Sequence, residues 1–409
     1  MHNSTPAVVV GAELNGLGAV RSLARECVRI ILVDTTRRRA AMWSRFCRAS
    51  VIEQLHDQGL IDGLLAVQER LGERPVLILT DALAINTVSE NRDKLLGAYR
   101  FQLPPRHIVA MLQNKARFHE FAEQYDLPVP CTFIMKPDTP LAQLSTLPFP
   151  AIVKTAGLGR TKQVHYVATL KDAEVLCRRL LESEDELVIQ EWIDGPDSNI
   201  CFALFYIGHK PENFKVFAAR KLTSNPEKLG NALLCLAAPE VMDTLEPLIA
   251  KFLDLTEFRG LGRVEFKWDA QKRQYVILGA AVGHTDWHAE IATLSGVNLP
   301  LAAYYDEVGL PVASSSEIDR TVAWRGSALL GRELPIQPFS MHIYDGYWRL
   351  NDPAPALFFH ACNGFEWIYR HLLEPIFGNA KLSDMWPVRG QIYQSLVKAI
   401  FNRGKANTW

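Results

Sequence analysis

The sequence predicts an α/β protein in which a parallel-sheet unit opens the chain and a mixed α+β region fills its middle. Three observations predict it. Short β-branched runs alternate with helical spacing over the first hundred residues. Pro104-Pro105 then breaks the chain. Beyond that break, strand-like runs arrive in hairpin pairs rather than as strand–helix–strand units.

In chain order, Ala7-Val8-Val9-Val10 stops at Gly11 and reads as a buried parallel strand. From Leu17 to Glu26 the spacing is helical, with Leu17, Val20, Leu23 and Ala24 on one face. Arg29–Asp34 and Val76–Thr80 are two further buried strands. A helix is expected over about Arg106–Tyr125, ended by Leu127-Pro128-Val129-Pro130, with a strand near Thr132–Met135. Ala151–Lys154 and Leu187–Ile193 follow as strands, the second broken at Asp194-Gly195-Pro196. Residues 200–207 and 214–219 read as a hairpin pair, about Pro239–Leu255 as a helix, and Gly262–Trp268 with Gln274–Leu278 as another hairpin turning at Asp269–Arg273. After about residue 306 the pattern weakens into an aromatic and proline-rich region, with one helical stretch near Gly364–Ile376. There is no internal repeat.

Composition narrows the function classes. A net charge of −1 in 409 residues gives no footprint for nucleic acid. The 7 cysteines are scattered and form no C-x-x-C pair, so reduced thiols are expected rather than a disulfide framework or zinc cluster. No run reaches the roughly 20 apolar residues that span a bilayer, and the N-terminus has no signal-peptide pattern. A cytoplasmic protein is expected.

Two sets of residues could carry chemistry. The first is the turn Gly11 to Gly18 after the opening strand, with Asp34 ending the second. Its glycine spacing is not G-x-G-x-x-G, so a tight strand-to-helix turn stands beside a dinucleotide site or a small-substrate contact at a helix N-terminus. The second set is widely spaced. Gln113-Asn114-Lys115-Ala116-Arg117-Phe118 puts a lysine on a helix, and Ala151-Ile152-Val153-Lys154 puts one at a strand end. Gln190-Glu191-Trp192-Ile193-Asp194-Gly195-Pro196-Asp197 is a strand stopping at an acidic turn. In Val264-Glu265-Phe266-Lys267, Glu265 and Lys267 share one strand face.

In that order along the chain, the second set resembles the ATP-grasp superfamily, within it the carboxylate–amine ligase group related to D-alanine–D-alanine and D-aspartate ligases. The resemblance runs from residue 7 to about 305, and more loosely to Asn351-Asp352-Pro353-Ala354-Pro355. It implies a Rossmann-like domain over residues 1–105, an ATP-grasp domain of two α+β subdomains over 106–305 with its lid at about 130–190, and a C-terminal extension over 306–409. It also implies ATP as cofactor with magnesium, and small-molecule carboxylate and amine substrates joined through an acyl phosphate. Lys115 and Lys154 would hold phosphates, with Gly157 and Gly159 in the loop above them. Glu191, Trp192 and Ile193 would form the adenine hinge, and Asp197 would accept from the ribose hydroxyls. Arg220 and Lys221 would lie near the transferred phosphate or acyl substrate, and Glu265 would bind magnesium.

One stretch departs from the pattern. Similar enzymes end their last hairpin strand with Glu-x-Asn-x-Arg, the Glu and Asn on magnesium and the Arg on the transferring phosphate. Here the aligned positions are Gly279, Ala281 and Gly283, with flanks that align without a gap. Losing such groups weakens phosphoryl transfer while leaving nucleotide binding open, so a catalytically impaired binding protein, acting as scaffold or regulator, stands beside the ligase. His284, Asp286, His288 and Glu290 alternate and, on a strand, would offer replacement ligands; the preferred reading is a surface loop, with His288 packed against Trp287. The C-terminal aromatics Phe358, Phe359, Phe365, Trp367 and Tyr369 either pack back onto the fold or face a partner, and a homodimer stays open.

Overall fold

A computed structural model describes residues 5–157, 164–312, 318–326 and 341–368. Three sheets carry the fold. The first is parallel, with β1 (Ala7–Val10), β2 (Ile30–Asp34), β3 (Arg48–Val51) and β4 (Val76–Leu79) in the order β3-β2-β1-β4. Strands β1, β2 and β4 are buried throughout, which is why they read as unbroken apolar runs. Helices α1 (Leu14–Ala24), α2 (Asp57–Leu71), α3 (Ala82–Glu90) and α4 (Arg92–Leu95) connect and flank them.

The turn from β1 into α1 is tight. Gly11 has φ +98°, and a Cβ on Gly16 would lie 1.9 Å from the Gly11 carbonyl oxygen. The Asp34 carboxylate is spent inside the same loop, accepting from the amides of Ala12 at 2.8 Å and Thr35 at 2.7 Å. These glycines and Asp34 therefore build a turn, in which both Asp34 oxygens already accept from main-chain amides.

Where one helix is expected over 106–125 there are two, α5 (Arg106–Gln113) and α6 (Lys115–Gln124). Asn114 separates them in extended conformation and caps α6 by accepting from the Arg117 amide. The second sheet is antiparallel, order β5-β8-β6-β7, from β5 (Thr132–Met135), β6 (Ala151–Thr155), β7 (Val164–Val167) and β8 (Leu187–Glu191). Helix α7 (Leu170–Leu180) covers it around a small core of its own, which includes Met135, Val153, Cys177 and Ile189.

The central sheet has seven strands in the order β13-β12-β9-β10-β11-β14-β15. They are β9 (Ile200–Ile207), β10 (Lys215–Asn225), β11 (Asn231–Ala237), β12 (Gly260–Asp269), β13 (Gln274–Val282), β14 (Val322–Arg325) and β15 (His342–Asp345). Both expected hairpins form, and α8 (Met242–Leu255) packs on one face. On the other face lie α1, α9 (Glu290–Leu294) and α10 (Leu299–Val308). Strands β14 and β15 come from the region read as a C-terminal extension, and they lengthen the central sheet instead of forming a separate unit. Helix α11 (Ala354–Ile368) begins ten residues before the expected stretch and packs on residues 40–43, where Phe358 stacks on Trp43 at 5.5 Å between ring centroids. Phe359 stacks on Tyr347 at 4.1 Å. Tyr369 and the side chains of Phe365 and Trp367 lie outside the described residues.

A buried ion cluster ties the two ends of the chain together. Arg21 on α1 meets Asp352 at 3.1 Å and donates to the carbonyls of Gly346 and Tyr347. Asp352, fully buried, also accepts from Ser44 Oγ at 2.9 Å and the Arg45 amide at 3.0 Å. Among the described residues no disulfide forms, and no helix is long and apolar enough to cross a membrane.

Candidate nucleotide cleft

Lys154 stands at the end of β6 and donates to Gln190 Oε1 on β8 at 3.0 Å. Gln190, fully buried, spends its amide nitrogen on His119 at 2.8 Å and on Thr132 Oγ1 at 3.1 Å. His119 can accept because it is neutral: burial, then the Lys154 charge, lower its pKa to about 3. Burial is also the largest influence on Lys154, bringing its pKa down to about 8. The Glu265 carboxylate opposes that shift, while Lys115 and Lys221 add to it. Lys154 thus feels the charges of residues 115, 221 and 265, although the four come from a helix and three strands of two sheets. Lys115 Nζ reaches the carbonyls of Thr155 at 3.1 Å and Gly157 at 3.3 Å, so it lies against the end of Lys154's own strand. Gly159 lies outside the described residues.

The hinge leaves β8 beside these lysines. The Glu191 amide donates to Cys131 and the Trp192 amide to Pro150, whereas among the described residues no protein group accepts from the Ile193 amide. The Glu191 carboxylate turns away, to Lys272 at 3.0 Å and the Cys131 amide at 3.2 Å. Any purine recognition here therefore comes from main chain. Lys267 Nζ lies 4.6 Å from the centroid of the Trp192 ring, a cation–π contact that joins the hinge to β12. Asp197 accepts from Ser224 Oγ at 2.7 Å through one oxygen, and its other oxygen is buried without a hydrogen-bond partner. A buried carboxylate oxygen left without a donor is costly unless something else supplies one.

The floor of the cleft is one face of the central sheet. Pairing of Glu265 with both Phe202 and Gly279, of Phe202 with Ala219, and of Arg263 with Ala281 places these residues on a common face. Lys221 shares it, two residues beyond Ala219, and its ammonium lies 3.2 Å from Glu265 Oε1. Arg263 reaches Glu265 at 3.8 Å and Asp286 at 2.6 Å. Burial works to raise the Glu265 pKa, but Lys221 and then Arg263 hold it at about 2. Asp286 is likewise held at about 2 against burial, first by Arg263.

Arg220 does not join this group, which corrects its expected place beside Lys221. Neighbours along a strand face opposite ways. Arg220 points to the α8 side, where it donates to the Ser198 carbonyl at 2.9 Å and pairs with Glu240 at 3.1 Å.

The downstream set is also corrected. Residues 284–289 do not form a strand, so His284, Asp286, His288 and Glu290 share no face. Asp286 goes to Arg263, and Glu290 goes to Arg349 at 2.8 Å. His288 is buried 4.1 Å from the Phe202 ring, with both nitrogens unpartnered; burial takes its pKa down to about 4, so it is neutral. Among the described residues no group of three or more His, Cys, Asp or Glu could hold a metal ion.

The donors do not fit magnesium. In nucleotide sites that ion takes one or two protein carboxylates and completes six oxygens from phosphate and water, so it needs a carboxylate that is not already neutralised. The face offers Glu265, already paired with Lys221 and Arg263, beside Gly279 and Ala281, which have no donor atoms. Added side chains would fare differently at the replaced positions. A Cβ on Gly279 would have nothing within 4 Å, whereas Gly283 has φ +75° and its Cβ would lie 2.8 Å from Leu103.

Sequence reasoning passed over Arg263, Gln190 and His119. Arg263 was findable, because it sits two residues before Glu265 on the same strand face. His119 gave no signal, since its partner lies 71 residues away.

No family model matches the chain. It is similar to a D-aspartate ligase of Enterococcus faecium, 22% identical over 326 residues that cover 74% of this chain and 76% of that one. Solved structures resemble it at lower identity. An ADP complex of N5-carboxyaminoimidazole ribonucleotide synthetase has a TM-score of 0.63 at 14% identity, covering 77% of this chain and 80% of that one. L-amino acid ligase from Bacillus licheniformis has a TM-score of 0.60 at 13% identity, covering 78% of each chain. Biotin carboxylase from Campylobacter jejuni has a TM-score of 0.59 at 13% identity, covering 78% of this chain and 74% of that one. With lysines of the lid sheet and of the central sheet brought together, the chain has the ATP-grasp fold and is similar to carboxylate–amine ligases.

Proposed function

We propose that the chain binds ATP between the lid sheet and the central sheet and spends it in joining a carboxylate to an amine. The observation that carries this reading is that Lys154 on β6 has Lys115 Nζ against its own strand, 3.1 Å from the Thr155 carbonyl, and senses the charges of Lys221 and Glu265 on the central sheet. Partly desolvated cations on rigid strands suit polyphosphate. In the proposed complex Lys115 and Lys154 hold the phosphates. The main chain at Glu191 and Ile193 meets the adenine edge, and the unpartnered Asp197 oxygen accepts from a ribose hydroxyl.

A substrate carboxylate oxygen attacks the γ-phosphorus and ADP leaves. An amine nitrogen then attacks the acyl carbon, phosphate departs, and the amine proton goes to solvent. Lys221 and Arg263 stand where negative charge would grow, and no step is assigned to magnesium. Likeness to a D-aspartate ligase favours an amino acid as one substrate.

A second reading is a nucleotide-binding scaffold or regulator without ligation. It is favoured by Gly279 and Ala281, which bring no charged or coordinating group to the β13 side of the floor. Calorimetry with ATP on wild type and Lys154→Ala tests the common part, with binding expected in the first and lost in the second. Phosphate release with a panel of amino-acid carboxylates and amines then separates the two. Brisk turnover excludes the scaffold, whereas ATP binding without turnover across the panel favours it.

A further inference from the structure

We propose that Arg263 and Lys221 stand in for the divalent cation, so that this cleft takes free nucleotide at least as well as the magnesium complex. The inference rests on the nucleotide-binding reading above and concerns the same site. Lys221, Glu265, Arg263 and Asp286 form an alternating chain of charge across the sheet face, with contacts of 3.2, 3.8 and 2.6 Å. Arg263 pairs across the ladder with Ala281, and Glu265 with Gly279. The two positions that lack donor atoms therefore face a fixed guanidinium and its carboxylate partner.

Guanidinium stays charged at any working pH and supplies five N–H donors. Its recorded contacts go to two carboxylates, and Arg263 Nε is buried with no acceptor among the described residues. A magnesium ion drawn to Glu265 would have to approach both Lys221 and Arg263, and like charges at such range repel. Two fixed cations, each beside a carboxylate, thus stand where an incoming ion would have to sit.

The test is titration calorimetry of the full chain with ATP, once in excess EDTA and once in saturating magnesium. The expected result is an affinity in EDTA equal to or greater than that in magnesium. Binding that is about 10-fold or more tighter with magnesium would overturn the inference and leave the nucleotide-binding reading intact. No heat in either condition would overturn both.

Three variants sharpen it. Arg263→Met should lose about 10-fold in EDTA and Arg263→Lys much less. A folded Arg263→Met variant with unchanged affinity in EDTA counts against the proposal. Gly279→Glu with Ala281→Asn leaves Arg263 in place and adds donors on β13, where residue 279 has open space. It should shift preference toward the magnesium complex, and a double variant that still prefers free ATP by the wild-type ratio also counts against it.

Discussion

The Lys221 ammonium lies 3.2 Å from the Glu265 carboxylate, one on β10 and the other on β12, with β9 running between them. The contact spans the sheet on its cleft side and has an acid-sensitive consequence. Glu265 is held at about 2 in the folded chain, below its ordinary 4.5. A depressed carboxylate stabilises the fold above its unfolded pKa, and that stability is lost as pH falls through the folded one. Stability should therefore decline from about pH 4.5 toward 2. Urea unfolding across that range should show a shallower decline in Glu265→Gln, and equal slopes would contradict the assignment.

Nucleotide affinity should depend on pH at the alkaline end. Lys154 loses its proton in the free protein at about pH 8, and a bound phosphate would hold that proton on. Affinity for ADP should fall as pH rises above 8, by up to about tenfold per unit while only the bound form keeps the proton. Lys154→Arg, charged throughout, should flatten the profile. A wild-type profile that is flat from pH 7 to 9.5 would rule out this role for Lys154.

Asp197 offers a test of ribose recognition. Asp197→Ala removes a buried acceptor oxygen that has no partner among the described residues. ATP should bind about 10-fold more weakly, while 2′,3′-dideoxy-ATP should bind wild type and variant alike. An equal loss for both nucleotides would mean that the aspartate only props Ser224.

The replaced positions on and just after β13 should respond unequally to change. Gly279→Glu meets open space and should shift the melting temperature by no more than a few degrees. Gly283→Arg combines a left-handed backbone with crowding by Leu103 and Ile85, and should cost at least about 2 kcal/mol. Thermal melts of the two single variants decide it, and a Gly283→Arg protein as stable as wild type would contradict the crowding.

Much of the cleft was legible because its residues fall at strand ends and helix starts in a fixed order along the chain. Lys115, Lys154, the hinge and Glu265 could each be placed from the turn or apolar run beside them. Facing was less legible. Arg220 and Lys221 are neighbours, so only one could enter the cleft, and the choice depended on how β10 pairs with β9 and β11. The alternation from His284 to Glu290 misled for a related reason. It has strand period, but the chain has already left the sheet at Gly283, in a backbone conformation that residue types alone do not announce. Strands β14 and β15 were missed because four-residue strands in an aromatic, proline-rich stretch carry too little periodicity.

The bond between Arg21 and Asp352 also bears on how the protein is made. Until residue 352 has left the ribosome, the first helix carries a guanidinium that lacks the nearer of its two acidic partners and keeps only Glu290, and β11 has an open edge where β14 will pair. The opening third of the polypeptide can collapse early. It cannot reach its final form until most of the message has been translated, so premature termination near residue 306 should yield an insoluble product rather than a shortened working cleft.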